Sequence, residues 1–274
     1  MQEKNINTEI FVVDNASNDG SNEMVRECFP QVRLIVNQEN LGFARANNKA
    51  IRESIGRYVS LLNSDAFLSG DAIQQMAHLM EIHPAIGIVG ANLYSPDGKP
   101  QVSHGPLPTV AVEAMSLFSL DKILKTTPLQ KLNKPHFETG WVDGACLMVR
   151  RNALDQIGLL DETFFMFSEE VDLCCRAYKA GWRVVHLPNA LVMHIGGGST
   201  GITSCRILEL YRGKLHYFAK HKGYWDFQLL LGLMWLSTLV KIFTYITLRW
   251  LTINRLQKDN LWWEVAKGLP SVMV

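Results

Sequence analysis

The sequence predicts an α/β fold built on a mixed, mostly parallel sheet, and three observations carry that expectation. Short β-rich runs alternate with stretches of helical period from about residue 9 to residue 195, the pattern of successive βαβ units. The chain has 274 residues and a mass of 30.9 kDa, enough to bury a sizeable core. No fixed-period repeat or low-complexity tract competes with that reading.

Taken in order, the expected strands are EIFVVDN (9–15), VRLIVN (32–37), YVSLLNSD (58–65), IGIVGANLY (86–94), WVDGACLMVRR (141–151) and RVVHLPNA (183–190). Helices are expected at 21–29, 43–55 and 71–82, the last opened by Asp71 as an N-cap. Ser95-Pro96-Asp97-Gly98-Lys99 is a turn, and 105–138, with little period and several prolines, reads as an irregular excursion over the sheet. A compositional break near Ser204 divides the chain into residues 1–204 and a C-terminal region, 205–274.

Composition excludes several classes of function. Apolar residues at 47% against 19% charged rule out a disordered chain and lean toward the apolar side for a soluble domain. The 27 Lys and Arg against 26 Asp and Glu leave a charge of +1, so no basic field exists for wrapping nucleic acid. Five cysteines without a CxxC argue against a zinc knuckle or a disulfide framework. MQEKNINTEI has no apolar export signal, so the cytoplasm is the expected compartment.

After residue 204 the chain turns basic and then apolar. Arg206, Arg212, Lys214, Lys220 and Lys222 face Glu209 alone, and 229–248 is interrupted only by Lys241. At 100° per residue, Ser237, Lys241, Thr244, Thr252 and Arg255 fall within a sector of roughly 90°, which predicts an amphipathic helix with Trp250, Trp262 and Trp263 nearby. An in-plane or dipping membrane anchor is the expectation, with a clean span less fitting. The alternative is that this apolar surface packs on the catalytic domain or on a second copy in a homodimer.

The residues able to carry chemistry sit where strands end. Asp14 and Asn15 close FVVDN and precede a polar loop suited to a ribose or base, although Asx residues also end strands simply to make turns. Asn63-Ser64-Asp65 closes YVSLL; an acidic oxygen there suits Mg²⁺ or Mn²⁺ bridging a diphosphate, and it also suits a helix cap. In FFMFSEEVD (164–172), Glu169, Glu170 and Asp172 fall in the first turn of a helix, where a carboxylate beside aromatics can become a general base or be an ordinary N-terminal acid. His194 precedes IGGGSTG, a loop read as a closing lid beside a metal ligand, while a lone His is commonly structural. That loop is no P-loop, and no GxGxxG follows a strand.

The order VVDNASNDGS (12–21), NLGFARANN (40–48), LLNSDAFL (61–68), DGACLMVRR (143–151), FFMFSEEVDLCCRAYKAGWRVV (164–185) and VMHIGGGST (192–200) resembles bacterial family 2 glycosyltransferases of the GT-A type, particularly the rhamnosyltransferase-like branch. The resemblance implies a Rossmann-like GT-A sheet, a nucleotide-diphosphate sugar donor, Mg²⁺ or Mn²⁺, and inversion at the anomeric carbon. It implies that Asp14, Asn15, Ser17, Asn40, Gly42 and Asn47 contact the nucleotide, that Asn63 replaces the first Asp of a DxD motif, and that Asp65 and His194 hold the metal. Glu170 stands where the family's base follows a Glu; Asp143 and Trp141 belong to the sugar or acceptor pocket. The implied acceptor is a glycan or polyprenyl-linked molecule at the cytoplasmic face of a membrane. One departure is that EIFVVDN matches the family's second strand, so a central strand is expected to be lacking, with a non-catalytic remnant as the alternative function.

Overall fold

Elements form where the sequence alternates or turns helical. In the computed structural model, which describes residues 6–120, 134–196, 203–251 and 261–273, the chain runs β1 (Phe11–Asp14), α1 (Ser21–Cys28), β2 (Arg33–Val36), α2 (Gly42–Glu53), β3 (Tyr58–Leu62), β4 (Ala66–Leu68), α3 (Ala72–Ile82), β5 (Ile86–Tyr94) and β6 (His104–Gly105). It continues through α4 (Val110–Leu117), β7 (Phe137–Glu138), β8 (Trp141–Val142), β9 (Cys146–Arg150), α5 (Arg151–Ile157), α6 (Glu169–Lys179) and β10 (Arg183–His194). Last come α7 (Ser204–His221), α8 (Tyr224–Leu251), α9 (Leu261–Gly268) and a 3₁₀ turn, Leu269–Met273. Two compact units result: Met1–Leu107 with Gln130–Gly196, and Pro108–Leu129 with Gly197–Val274.

The first unit is a sheet with helices on both faces. Six strands join in the order β3-β9-β5-β10-β4, with β7 also on β10. The sheet is mixed, as expected, but less parallel than the alternation of strands and helices suggested: only β1–β2 and β5–β10 run parallel. The reason is β9, which follows a turn at Asp143-Gly144 and inserts antiparallel between β3 and β5. β1 and β2 form a separate pair, and no strand among the described residues joins β1 to β3. Glu9 ties these two pieces, its Oε1 accepting from the Ile55 N–H at 2.7 Å and the Gly56 N–H at 2.9 Å.

Alternation along the strands sorts side chains into two cores. Val89, Leu93, Met148, Val185 and Val192 pack with Met76 and Met80 of α3. On the opposite face Ile88, Leu147, Val149 and Val184 pack with Ala44 and Ile51 of α2, Leu154 of α5, and Leu173 and Cys174 of α6. Each such side chain, when fully buried, contributes roughly 1.5–3 kcal/mol. Asp71 does not cap α3 through its side chain; its Oδ1 accepts from Gln75 Nε2 at 2.6 Å instead. RVVHLPNA and LVMH fuse into the single strand β10, whose pairing with β5 shifts register between Leu187 and Leu191, around Pro188, which has no N–H to give a ladder.

In the second unit, α4 interrupts the expected irregular segment because Thr109 supplies an N-cap, its Oγ1 accepting from the Val112 N–H at 3.3 Å. α8 has 28 residues, about 42 Å at 1.5 Å per residue. Its expected polar sector is split: Ser237 turns inward and Lys241 is half-buried, whereas Thr244 is exposed, its Oγ1 donating to Val240 O at 2.8 Å. Ser237 and Thr238 are fully buried, with Ser237 donating to Leu117 O of α4 at 3.1 Å and Thr238 to Met234 O at 2.8 Å. Lys241 is half-buried, its Nζ 4.2 Å from the Trp262 ring centre. Outward instead point Trp225, 76% exposed, Leu229, 57%, and Phe243, 68%, with Leu236 and Ile246 between and beyond them. Thr252, Arg255 and the Trp250 side chain lie outside the described residues, as does 197–202 of the glycine-rich loop.

Candidate functional site

Two groups of side chains meet at the strand ends of the first unit, and register explains the first. In the antiparallel β4–β10 pair His194 lies opposite Ala66, which sets Asp65 beside the end of β10. The Asp65 carbonyl accepts from the Ile195 N–H at 3.0 Å, and its Oδ2 from the Gly196 N–H at 3.2 Å. Asp65 Oδ1 is then 3.3 Å from His194 Nε2. Gln101, which the sequence reading did not single out, holds the other side of His194: Gln101 Nε2 donates to His194 O at 2.7 Å, and Gln101 Oε1 lies 3.0 Å from His194 Nδ1.

A carboxylate oxygen and an imidazole nitrogen 3.3 Å apart suit a small divalent cation that accepts oxygen and nitrogen donors, such as Mn²⁺ or Mg²⁺. Among the described residues no group of three or more His, Cys, Asp or Glu could hold a metal ion. Any cation here would therefore take its remaining ligands from water or from a bound phosphate. Asn63 makes no side-chain contact to this pair; its carbonyl accepts from the Ala66 N–H at 3.0 Å and its N–H donates to Ala145 O at 3.0 Å, closing the β3–β4 turn.

The second group gathers around the N-terminus of α6. Glu169 is 5% exposed and its Oε2 has no hydrogen-bond partner. Glu170 packs over Gly144, next to Asp143. Burial, then repulsion from Glu169 and Asp143, raises the Glu170 carboxyl well above the usual range. Burial pushes Glu169 up to about 7, with Asp143 adding repulsion. Asp143 is raised by burial too, opposed by the Ala145 N–H, which it accepts at 2.8 Å, and by the nearby charge of His194. That influence ties the two groups together: Asp143 is within Coulomb range of both His194 and the Glu pair. Asp172 is placed differently, fully buried and paired to Arg176 at 2.7 Å one helical turn on, while Arg176 also donates to Ile157 O at 2.6 Å and Leu159 O at 2.8 Å. Burial pushes the Cys146 and Cys174 thiols up to about 12, so neither serves as a nucleophile at neutral pH.

The loop between the two aromatic residues and α6 is held by α2. Phe43 N–H donates to Phe165 O at 2.8 Å, and a Cβ on Gly42 would stand 2.3 Å from that same oxygen. Gly42 also has φ +77°, so both space and backbone demand glycine in NLGF. Phe167 and Ser168 follow with φ of 69° and 70°, a strained pair that turns Glu169 and Glu170 inward.

The residues expected on the nucleotide side are joined chiefly to one another. Asn15 donates to Asn40 Oδ1 at 3.2 Å and Gly42 O at 3.1 Å, and accepts from Asn37 Nδ2 at 2.9 Å. Asp14, 6% exposed, accepts from the Ser17 N–H at 3.3 Å, the Asx turn that was the open alternative. Asn47 donates to Phe43 O at 2.9 Å within α2. A cavity of about 350 Å³ opens beside this network, lined by Asn40, Leu41, Arg45, Glu162 and Phe165; neither Asp65 nor His194 lines it.

Comparison with known proteins adds four findings. The family model Glycosyl transferase family 2 matches residues 2–158. Over 235 residues the chain is 29% identical to the N-acetylglucosaminyl-diphospho-decaprenol L-rhamnosyltransferase of Mycobacterium tuberculosis strain CDC 1551 / Oshkosh, covering 79% of this chain and 76% of that protein. It is 30% identical over 179 residues to a low-salt glycan biosynthesis hexosyltransferase of Haloferax volcanii, covering 62% of this chain and 53% of that one. Among solved structures, a mannosyltransferase from Pyrobaculum calidifontis in complex with GDP-Man and Mn²⁺ superposes with a TM-score of 0.57 at 14% identity, over 97% of this chain and 76% of that one. At that identity the likeness concerns the fold alone, which is GT-A-like.

Proposed function

The chain belongs to glycosyl transferase family 2 and is a transferase, and we propose that it moves a sugar, with inversion, from a nucleotide-diphosphate sugar to a lipid-linked or surface-glycan acceptor at the cytoplasmic face of a membrane. The observation that carries this reading is the convergence of Asp65 and His194 with Asp143, Glu169 and Glu170 at the strand ends. Rhamnose is the first donor to test, because the mycobacterial relative is named a rhamnosyltransferase acting on a decaprenol-linked sugar.

Each residue has a role in that reading. Asp65 and His194 hold Mg²⁺ or Mn²⁺, which when bound supplies positive charge against the leaving diphosphate. Glu170, with its raised affinity for a proton, accepts one from the acceptor hydroxyl as that oxygen attacks the anomeric carbon, and a single displacement inverts the centre. Glu169 and Asp143 keep that proton affinity high through their charge. Asp14, Asn15, Ser17, Asn40, Gly42 and Asn47 shape the nucleotide side, and Trp141 with Asp143 the sugar side. The outward apolar face of α8 docks on lipid, which supports a polyprenyl-linked acceptor; vesicle sedimentation of Phe243→Asp with Leu236→Asp should drop well below that of the parent protein. Equal sedimentation would remove the membrane from this reading.

The break between β1 and β3 favours a second reading, a chain that binds membrane or a partner transferase without catalysis. Calorimetry with Mn²⁺ and a panel of nucleotide sugars separates the two. Metal-dependent binding of one donor is the expected result, and no binding across the panel would favour the second reading.

A further inference from the structure

The geometry points to Gln101 as a positioning residue: we propose that it fixes His194 in the tautomer that carries its proton on Nδ1, and so presents a bare Nε2 to the space beside Asp65. This rests on the reading of Asp65 and His194 as metal ligands, and it adds the residue that prepares one of them.

Donors and acceptors around the Gln101 amide fix how it faces His194. A backbone carbonyl only accepts, so the side-chain amide group 2.7 Å from His194 O must be the Gln101 NH₂. That orientation leaves the Gln101 carbonyl oxygen 3.0 Å from His194 Nδ1. An amide oxygen also only accepts, so Nδ1 must donate. With Nδ1 holding a proton, Nε2 is the nitrogen left to face Asp65 Oδ1, at 3.3 Å, and in the neutral ring it carries the lone pair. A proton on Nε2 can fill the space between these two atoms and a metal ion can replace it, so a ring held by its Nδ1–H is already aimed for ligation through Nε2.

The clamp is itself anchored. Gln101 N–H donates to Leu93 O at 2.9 Å at the end of β5, and two residues later Ser103 O accepts from the Asp143 N–H at 3.0 Å. Residues 101–103 thus bridge both groups of the site. Gly196 covers the clamp: a Cβ there would lie 3.6 Å from Gln101 Nε2 and 3.7 Å from His194 Nδ1, and its φ is +64°. Gln101 lies 93 residues from His194 along the chain, and its exposed neighbour Val102 makes no comparable contact.

The test uses the full chain, metal-free and labelled with ¹⁵N-histidine, followed by titration with Mn²⁺ alone read by electron paramagnetic resonance. His194 is assigned by the loss of its signals in His194→Gln. The expected result is that, wherever the ring is neutral, His194 of the parent protein keeps its proton on Nδ1. Gln101→Leu should move the proton to Nε2 and weaken Mn²⁺ binding by about 10- to 100-fold. Gln101→Glu, which keeps an acceptor at Nδ1, should retain the parent tautomer and bind Mn²⁺ within about threefold of it, a rescue that a space-filling role would not produce. A neutral parent His194 protonated at Nε2 overturns the proposal, and so does a Gln101→Leu protein with unchanged tautomer and affinity. Should Gln101→Leu fail to fold, the parent tautomer and the Glu variant decide. An Nδ1-protonated His194 in a protein that binds no Mn²⁺ would uphold the tautomer assignment while overturning the metal reading.

Discussion

At the β4–β10 edge, Asp65 and His194 are held from all sides by the Ile195 and Gly196 N–H groups and by Gln101. At the start of α6, by contrast, Glu169 Oε2 has no partner, and burial drives both glutamates toward their protonated forms. In the proposed function the first edge presents fixed donor atoms, and the second holds and releases a proton. Hydrogen bonds set direction at the first edge; at the second, burial outweighs the backbone N–H groups that bond the Glu170 carboxyl, because a poorly solvated carboxylate binds a proton tightly.

The sharpest way to break this contrast is to remove the charge from the α6 edge alone. Glu170→Gln should lower kcat by about 10³-fold while leaving donor affinity by calorimetry unchanged. Turnover at the parent rate would refute the base assignment. At the other edge, Asp65→Ala should weaken Mn²⁺-dependent donor binding by roughly 100-fold. A loss of donor binding in both variants would mean that the two edges do not divide the work.

Glu169→Gln sharpens the comparison through pH. The charge of Glu169 raises Glu170, so its removal should shift the acidic limb of kcat/KM to lower pH by about one unit. The same change acts on stability. Glu169 binds its proton more tightly folded than unfolded, with a folded value of about 7 against an ordinary 4.5, so its stabilising contribution is full below about pH 4.5 and is lost as the pH rises through 7. Chemical denaturation should therefore find Glu169→Gln more stable than the parent at pH 8 by roughly 3 kcal/mol, and the difference should vanish at pH 4. The smallest effect on turnover belongs to Asp172→Asn. It breaks the buried pair with Arg176, lowers stability by about 1–3 kcal/mol, and should leave kcat of the folded protein nearly unchanged; a kcat loss matching Glu170→Gln would place Asp172 in the chemistry.

What was legible in the sequence followed the range of each interaction. Asp65 and His194 stood out because apolar strands ended on them, a local signal, and β4–β10 register then brought them together. Asp172 looked equivalent to Glu169 and Glu170 because spacing places all three in one helical turn; only the fold shows that its phase meets Arg176. Gln101 was invisible, since its partner is 93 residues away and a glutamine after a turn has no pattern of its own. For α8 the period placed Ser237 and Thr244 on one polar face, but Ser237 finds a hydrogen-bond acceptor inside while Thr244 stays exposed. The antiparallel insertion of β9 escaped notice for a related reason: alternation of strands and helices reports order along the chain, not pairing across the sheet.

The central claim is most directly tested by crystals grown with Mn²⁺ and a nucleoside diphosphate, using anomalous scattering to find the metal. The account predicts one peak bonded to Asp65 Oδ1 and His194 Nε2, with phosphate oxygens completing its shell and the Glu170 carboxyl outside it. A peak bonded to Asp143, Glu169 or Glu170 in place of Asp65 and His194 would contradict it.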